Sequence, residues 1–266
     1  MNSIHTTAII DKAAQLGDNV AVAPYVVIEA DVVVGDDCDI GAHCVIKRHT
    51  RLGQRNRIAE HTVIGGEPQD VSFRPRESQV WIGDDNCLRE GVTIHRATKA
   101  GGVTRIGNEN YLMAYAHIAH DCTLGNHVTF ANGATLGGHV HVADRAFLSA
   151  YVVVHQFCRI GKYAMIAGLS AVRQDCLPFI LSAGNPAHAR SLNIVGLRRG
   201  GFDSEQIRAL KRAYTVLLRS GEPLQKALQR LQDSESSLVQ ELAAFVQSSQ
   251  RGFAHHREMP ERTGAE

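Results

Sequence analysis

Between Ile106 and Val172 an apolar residue returns at every sixth position: Ile106, Leu112, Ile118, Leu124, Phe130, Leu136, Val142, Leu148, Val154, Ile160, Ile166 and Val172. The fourth residue after most of them is small or branched, as at Ala116, Cys122, Val128, Ala134, Val140 and Ala146. A period of six is not the helical 3.6, but it is a multiple of the strand's two. It suits a strand that turns a corner every six residues, the signature of a hexapeptide-repeat parallel β-helix with three sides and eighteen residues per coil. Each large apolar residue then fills the interior, and each small one lets the corner close. Neighbouring coils stack about 4.8 Å apart, as strands do in a sheet. The expected fold is an all-β solenoid with an α-helical appendage.

The register also decides which residues meet. Side chains eighteen apart lie above one another, so His120, Gly138 and Gln156 form one column and Asp121, His139 and Phe157 the next. The segment Ala116-His117-Ile118-Ala119-His120-Asp121-Cys122 therefore sits beside a glycine and a second histidine.

The same period starts at Ile4 and runs to Ile64, breaks over 65–81, resumes at Ile82, Leu88 and Ile94, and breaks again over 97–105. Solenoids carry insertions as loops on one face, often the binding face, so both breaks are candidate site elements. The repeats end near Pro178, and Gly184-Asn185-Pro186 reads as a turn leaving the coil. The expected division is a β-helix over 1–185, a helical domain over 186–250 and a flexible polar tail over 251–266. Three amphipathic helices are expected: from about Ser204 to Arg219, from near Pro223 and from near Ser236. They would cover the open end of the solenoid, where strand edges are otherwise unpaired.

The net charge of +1 singles out neither nucleic acid nor a membrane as the main partner. There is no leader-like or membrane-spanning apolar run, so a cytoplasmic location without membrane insertion is expected. Five of the six cysteines, Cys38, Cys44, Cys122, Cys158 and Cys176, occupy the small fourth-after slot and Cys87 is off it. They read as reduced space-fillers, not as disulfide or metal ligands.

Several segments together resemble one family: Gln69-Asp70, Val92-Thr93-Ile94-His95-Arg96, the His117 to Asp121 run, His155-Gln156-Phe157, and Gly196-Leu197-Arg198-Arg199. With the hexads and helical C-terminus, the chain resembles the UDP-N-acetylglucosamine O-acyltransferases, which open lipid A synthesis. The resemblance covers nearly the whole chain. It implies a left-handed coil and a homotrimer with active sites between subunits. It also implies transfer of a 3-hydroxyacyl chain from acyl carrier protein to the sugar 3-position, with no cofactor and no metal ion.

A sugar hydroxyl attacks a thioester poorly unless its proton leaves as attack proceeds. Histidine, with an ordinary pKa of about 6.5, suits that task, and His120 is the expected general base. Fourteen histidines make the assignment non-trivial. His43, His49, His61, His127 and His139 all take the third-after slot, which therefore accepts histidine without chemistry, whereas His120 is second-after. Gly138 would expose a backbone N–H to a developing oxyanion, or serve only as a corner glycine. Asp121 would orient a histidine or pair with His139. By resemblance, Asp70, His95 and His117 line the sugar site, and Gln69 binds substrate beside them. Gln156 and Arg199 meet phosphates and ribose, Asn193 lies near the uracil, His139 and His155 belong to the same site, and Gly168 limits acyl length.

Two departures from the family stand out. Ser72 stands where the family usually has a lysine two residues after the Gln-Asp pair, and where it usually has two arginines at the loop end and then glycine, Arg199 is followed by Gly200. Both remove a cation, which leaves open a 3-amino acceptor sugar. The related N-acyltransferase normally carries a domain ahead of its hexads, which here begin at Ile4. A zinc lyase of the γ-carbonic anhydrase type would need three converging histidines, for which His117, His120 and His139 are the candidates. A non-catalytic trimeric scaffold is the remaining reading.

Overall fold

In the computed structural model, residues 1–254 are described. They form a left-handed parallel β-helix closed at its C-terminal end by helices. Short strands, mostly of two residues, build three flat sheets of eleven, nine and eight strands. Successive strands visit the three sheets in turn, so neighbours within a sheet are one coil apart. Thr123 lies opposite His141 and Leu124 opposite Val142, the eighteen-residue register expected. The usual right-handed crossover rule depends on a twisted strand feeding its connection. Two-residue strands carry too little twist to impose it.

From Ala21 onward each two-residue strand turns its second residue inward. Ile40, Ile46, Ile64, Leu88, Ile94, Leu112, Ile118, Phe130, Leu136 and Leu148 are fully buried in one continuous core. The fourth-after residues are interior as well; Cys44, Cys122, Cys158, Ala134 and Val140 have no exposure, so small size is needed to fill the corners. All six cysteines are free. The turn itself falls one residue earlier. Asn19, Asp37, His43, Arg55, Tyr115, Asp121, His139 and Leu169, all third-after, have φ between 53° and 62°. Left-handed backbone excludes β-branched side chains but tolerates Asn, Asp and His, which is why histidines accumulate in that slot.

Polar interior positions are paired along the axis. Asn110 Nδ2 donates to Asn86 Oδ1 (2.9 Å), Asn86 Nδ2 to Asn56 Oδ1 (3.0 Å) and Asn56 Nδ2 to the Gly83 carbonyl (2.9 Å). This amide ladder crosses the coils where the register lengthens around both insertions.

The insertions are narrower than 65–81 and 97–105. Strands Val63–Gly66, Gln79–Ile82 and Val103–Ile106 run into those stretches, because the backbone keeps pairing with adjacent coils even where the side-chain period lapses. The helical part also starts later than residue 186. Strand Ile180–Ala183 pairs antiparallel with His188–Leu192 around the Gly184-Asn185-Pro186 turn, an unexpected hairpin.

The helices are α1 (Ile194–Arg199), α2 (Ser204–Leu218), α3 (Leu224–Gln232) and α4 (Ser237–Gln247). The six-residue α1 is too short to leave a periodic signal. Asp203 and Gln206 form a reciprocal capping box at the start of α2. Leu210, Leu231, Leu242 and Val246 pack with Leu177, Phe179 and Ile180 of the last coil as a second core. Residues 251–254 are not a loose tail. Phe253 is only 3 % exposed, the Asp175 N–H donates to the Gly252 carbonyl and the Ala254 N–H to the Asp175 carbonyl. Burial of one aromatic ring outweighs the polar composition that suggested flexibility. The remainder of the expected tail, 255–266, lies outside the described residues. No helix among the described residues is long and apolar enough to cross a membrane.

Candidate active site

Strand His117–Ile118 belongs to the nine-stranded sheet and ends at the corner leading to the eight-stranded one. His120 and Asp121 form that corner. Asp121 takes the left-handed turn (φ 60°), and its Oδ2 lies 2.8 Å from His120 Nδ1. A carboxylate only accepts, so Nδ1 carries the hydrogen and Nε2 is the basic nitrogen. His120 is 8 % exposed. Burial works against the Asp121 charge, but hydrogen bonds from His120 and Thr98 prevail and hold its carboxyl below the usual range.

Gly138 lies in contact with the ring, one coil on. A Cβ there would stand 2.3 Å from His120 Cε1 and 2.6 Å from Nε2. Its φ is not in the left-handed region, so glycine is required for space and not for the turn. The Gly138 carbonyl accepts from the Phe157 N–H (3.0 Å), while its own N–H has no acceptor among the described residues. The corner reading of Gly138 therefore does not describe it: space for the imidazole is what requires a glycine, and the free N–H is available as a donor.

His139 stands edge-on to His120 (centroids 5.3 Å) and stacks flat on Phe157 (4.5 Å, 6°). Its Nε2 is 3.6 Å from Asp121 Oδ2. Burial lowers its pKa, opposed by Asp121 and assisted by His120. His117 Nδ1 is 2.7 Å from Thr93 Oγ1, and its ring meets His95 edge-on at 4.9 Å. Burial, then neighbouring His120, depresses the His117 pKa. Burial followed by His117 and His120 pushes His95 down to about 4. His95 is therefore neutral at physiological pH, and its buried Nδ1 has no hydrogen-bond partner among the described residues.

On the first insertion, Gln69 is exposed and Asp70 accepts from both the N–H and the hydroxyl of Ser72 at 2.8 Å. These bonds, more than the more distant His120 and His139, hold the Asp70 carboxyl below its ordinary range. Ser72, at the position where the resemblance leads to a lysine, therefore orients Asp70. Gln156 and His155 are exposed at the His120 corner, one coil beyond Gly138, with His155 Nδ1 3.1 Å from the Gln156 carbonyl.

Three predicted residues lie elsewhere. Gly168 follows the eleven-stranded sheet, at a different corner. Asn193 is 9 % exposed and caps α1: its Oδ1 accepts from the Gly196 N–H (3.0 Å) and its Nδ2 donates to the Tyr163 carbonyl (2.9 Å). Both ends of that amide are thus already used within the chain. Arg199 is exposed in the last turn of α1. Next to it, a Cβ at Gly200 would come 2.5 Å from Tyr163 Cε1, so the Tyr163 ring occupies the space any side chain at 200 would need.

Residues not anticipated are Thr93, Thr98 and Thr104. The Thr98 N–H and hydroxyl bond Asp121, and Thr104 Oγ1 accepts from the Asp121 N–H (2.9 Å). Thr98 lies in a break without periodicity, where position in sequence carries no register. The three histidines weighed as zinc ligands do not form the convergent set. That set is His120, Asp121 and His139, whose ligand atoms lie within 4.8 Å, while His117 is tied to Thr93.

Comparison with known proteins accounts for both halves of the chain. Residues 175–254 match the family model described as UDP N-acetylglucosamine O-acyltransferase, domain 2. Residues 13–48 and 104–138 match the bacterial transferase hexapeptide model. An acyl-[acyl-carrier-protein]--UDP-N-acetylglucosamine O-acyltransferase of Aliarcobacter butzleri is 44 % identical, covering 97 % of this chain and all of that one. The protein of the same name from Sulfurovum is 50 % identical, covering 97 % and 99 %. Among solved structures, the Francisella novicida UDP-N-acetylglucosamine acyltransferase superposes with a TM-score of 0.93 at 36 % identity, covering 95 % of this chain and 94 % of that one. The Campylobacter jejuni enzyme gives 0.91 at 40 %, covering 96 % and 100 %. The chain belongs to the acyl-[acyl-carrier-protein]--UDP-N-acetylglucosamine O-acyltransferase family.

Proposed function

We propose that this acyltransferase moves a 3-hydroxyacyl chain from acyl carrier protein to the 3-hydroxyl of the glucosamine of UDP-N-acetylglucosamine, the first step of lipid A synthesis, with His120 as general base. The observation that carries the reading is the His120–Asp121 pair. Asp121 fixes the proton on Nδ1, and Nε2 is left to accept another. Nε2 removes the hydroxyl proton as the sugar oxygen attacks the thioester carbonyl. The carbonyl becomes an oxyanion, for which the unpaired Gly138 N–H is a donor. Collapse re-forms the carbonyl, breaks the C–S bond and expels the pantetheine thiolate, which takes the proton back from the imidazolium. Asp121 stabilises that imidazolium. Every step uses side chains and backbone alone.

Asp70, His95, His117 and His139 surround this pair and line the acceptor sugar. Neutral His95 and His117 offer hydrogen bonds without repelling the imidazolium. Gln69, His155 and Gln156 extend the site on the exposed side. Asn193, Arg199 and Gly168 sit away from the dyad on the same chain, which supports a site completed by a neighbouring subunit. A homotrimer is also favoured by the outer faces. The nine-stranded sheet turns Ile9 (67 % exposed), Val27, Val45, Val63 and Val153 (50 % exposed) outward, whereas the eight-stranded sheet presents Gln15, Arg51, Arg105, His141 and Arg159. Those valines and Ile9 are apolar at both ends of a face whose middle carries Thr93, His117 and Thr135; such apolar patches favour a partner, and a closed ring of like subunits provides one. The reaction belongs in the cytoplasm, where acyl carrier protein and nucleotide sugars are made.

The test is incubation with 3-hydroxyacyl carrier-protein thioesters and either UDP-N-acetylglucosamine or its 3-amino analogue, with products weighed. An ester product formed by the wild type, and turnover at least about 10²-fold lower in His120→Ala, is the expected result. An amide product only, or near wild-type turnover in the variant, refutes it.

A further inference from the structure

The second insertion ends on the catalytic pair. Thr98 donates its N–H to Asp121 Oδ2 at 3.1 Å, with Oδ1 at 3.3 Å, and its hydroxyl to Oδ2 at 2.8 Å. Both carboxylate oxygens are therefore held from one side. The same Oδ2 accepts from His120 Nδ1 at 2.8 Å and lies 3.6 Å from His139 Nε2. The carboxylate thus has two histidines within reach of one oxygen, and only one of them can be the base. A small rotation about the Cβ–Cγ bond would lengthen the contact to His120 and shorten the one to His139.

Thr98 is itself rigidly mounted. Ala97 is fully buried and its carbonyl accepts from Ser78 Oγ at 2.5 Å. The Gly101 N–H donates to the Glu77 carbonyl and the Gln79 N–H to the Gly102 carbonyl, both at 2.9 Å. At the base of the insertions the Arg96 N–H donates to the Gly66 carbonyl (2.9 Å), and its guanidinium meets Glu67 at 3.1 Å and the Phe73 ring at 5.6 Å. The two insertions are therefore one hydrogen-bonded unit, and Thr98 is where it bonds the Asp121 carboxylate.

We propose that Thr98 is a positioning residue for acyl transfer: its hydroxyl fixes the Asp121 carboxylate on His120 and away from His139, so that Nε2 of His120 remains the proton-accepting nitrogen. The proposal rests on His120 being the base. A second donor on Oδ2 also keeps the carboxylate ionised beside the imidazolium that forms during the reaction.

The experiment measures kcat and KM for both substrates in Thr98→Val and Thr98→Ser, each in the wild-type and Asp121→Asn backgrounds, with His120→Ala alongside. Thr98→Val keeps the shape and the backbone bond but removes the hydroxyl. A hydrogen bond to a charged group, lost mainly where charge develops, lowers kcat about tenfold, with both KM values unchanged. Thr98→Ser recovers most of the rate. In the Asp121→Asn background Thr98→Val produces no further loss, because the carboxylate it orients is gone. Wild-type kcat in Thr98→Val, a change in KM alone, or an equal loss in both backgrounds overturns the proposal, the last because it marks support given elsewhere. An active His120→Ala instead removes the reading of the base, and the proposal with it. Melting temperature and oligomer mass check folding, and Thr98→Ala carries the same expectations in place of a Thr98→Val that does not fold.

Discussion

Gly138→Ala separates the two tasks the structure gives that glycine. The backbone there is not left-handed, so alanine introduces no φ strain. The added methyl would stand 2.3 Å from His120 Cε1, 2.6 Å from Nε2 and 2.9 Å from Nδ1. Ordinary carbon contacts begin near about 3.5 Å, so the imidazole must retreat by roughly 1 Å. It cannot do so freely, because Nδ1 is held by Asp121 at 2.8 Å and the ring stands edge-on to His139. A misplacement of about 1 Å at a reacting group costs on the order of 10²-fold in rate. We therefore expect Gly138→Ala to melt as the wild type does and to lose about two orders of magnitude in kcat, about 2.7 kcal/mol of barrier. The assay is steady-state turnover with a 3-hydroxyacyl carrier-protein thioester, together with a crystal structure of the variant to read the ring position. The alanine keeps its N–H. A wild-type kcat in the variant would therefore refute the steric argument, and a slow variant with an unmoved ring would refute it equally.

The remaining expectations are shorter. His95→Gln tests pH dependence: His95 has a folded pKa of about 4 against about 6.5 unfolded, so the unfolded chain binds the extra proton. Stability is then full above about pH 6.5 and is lost as pH falls toward 4, by up to about 3 kcal/mol; denaturant melts across that window should show a shallower loss in the variant, and identical profiles would exclude His95 as the source. Asn86→Ala removes the middle rung of the buried amide ladder and the acceptor of Asn110, which should destabilise by about 1–3 kcal/mol; an unchanged denaturation midpoint would show the ladder to be dispensable. Gly168→Met should shift donor preference toward shorter acyl chains. A Cβ there would meet only the Ala150 carbonyl at 3.3 Å and the Ser149 Cβ at 3.9 Å among the described residues, and each methylene accommodated is worth about 0.8 kcal/mol. Superimposable length profiles would show that another residue sets the limit.

The coil of this protein was legible in its period. A six-residue repeat with one inward side chain per strand leaves a chain few ways to bury its apolar set, so the coil, the core list and the eighteen-residue columns could be written down in advance. Those columns already put Gly138 beside His120 and stacked Phe157 on His139. The composition of the third-after slot reflects a backbone requirement, the left-handed corner, which acts on every coil alike.

The tertiary structure alone decided whatever lies outside the period. The hairpin 180–192 and helix α1 are local pieces too short to leave a periodic signal, and the docking of Phe253 on Asp175 joins segments far apart in the chain. The Thr98–Asp121 bonds exist because an aperiodic loop is pinned by Ser78 and Glu77 of the other insertion. Asn193 shows the same limit from the opposite side. Its amide caps α1 and bonds Tyr163, and no count along the chain says which of its possible partners it will meet. A repeat propagates position by translation along one axis, so sequence distance becomes spatial distance. Where the repeat stops, hydrogen-bond geometry and the shape of neighbouring side chains choose the arrangement, and these are properties of the folded chain.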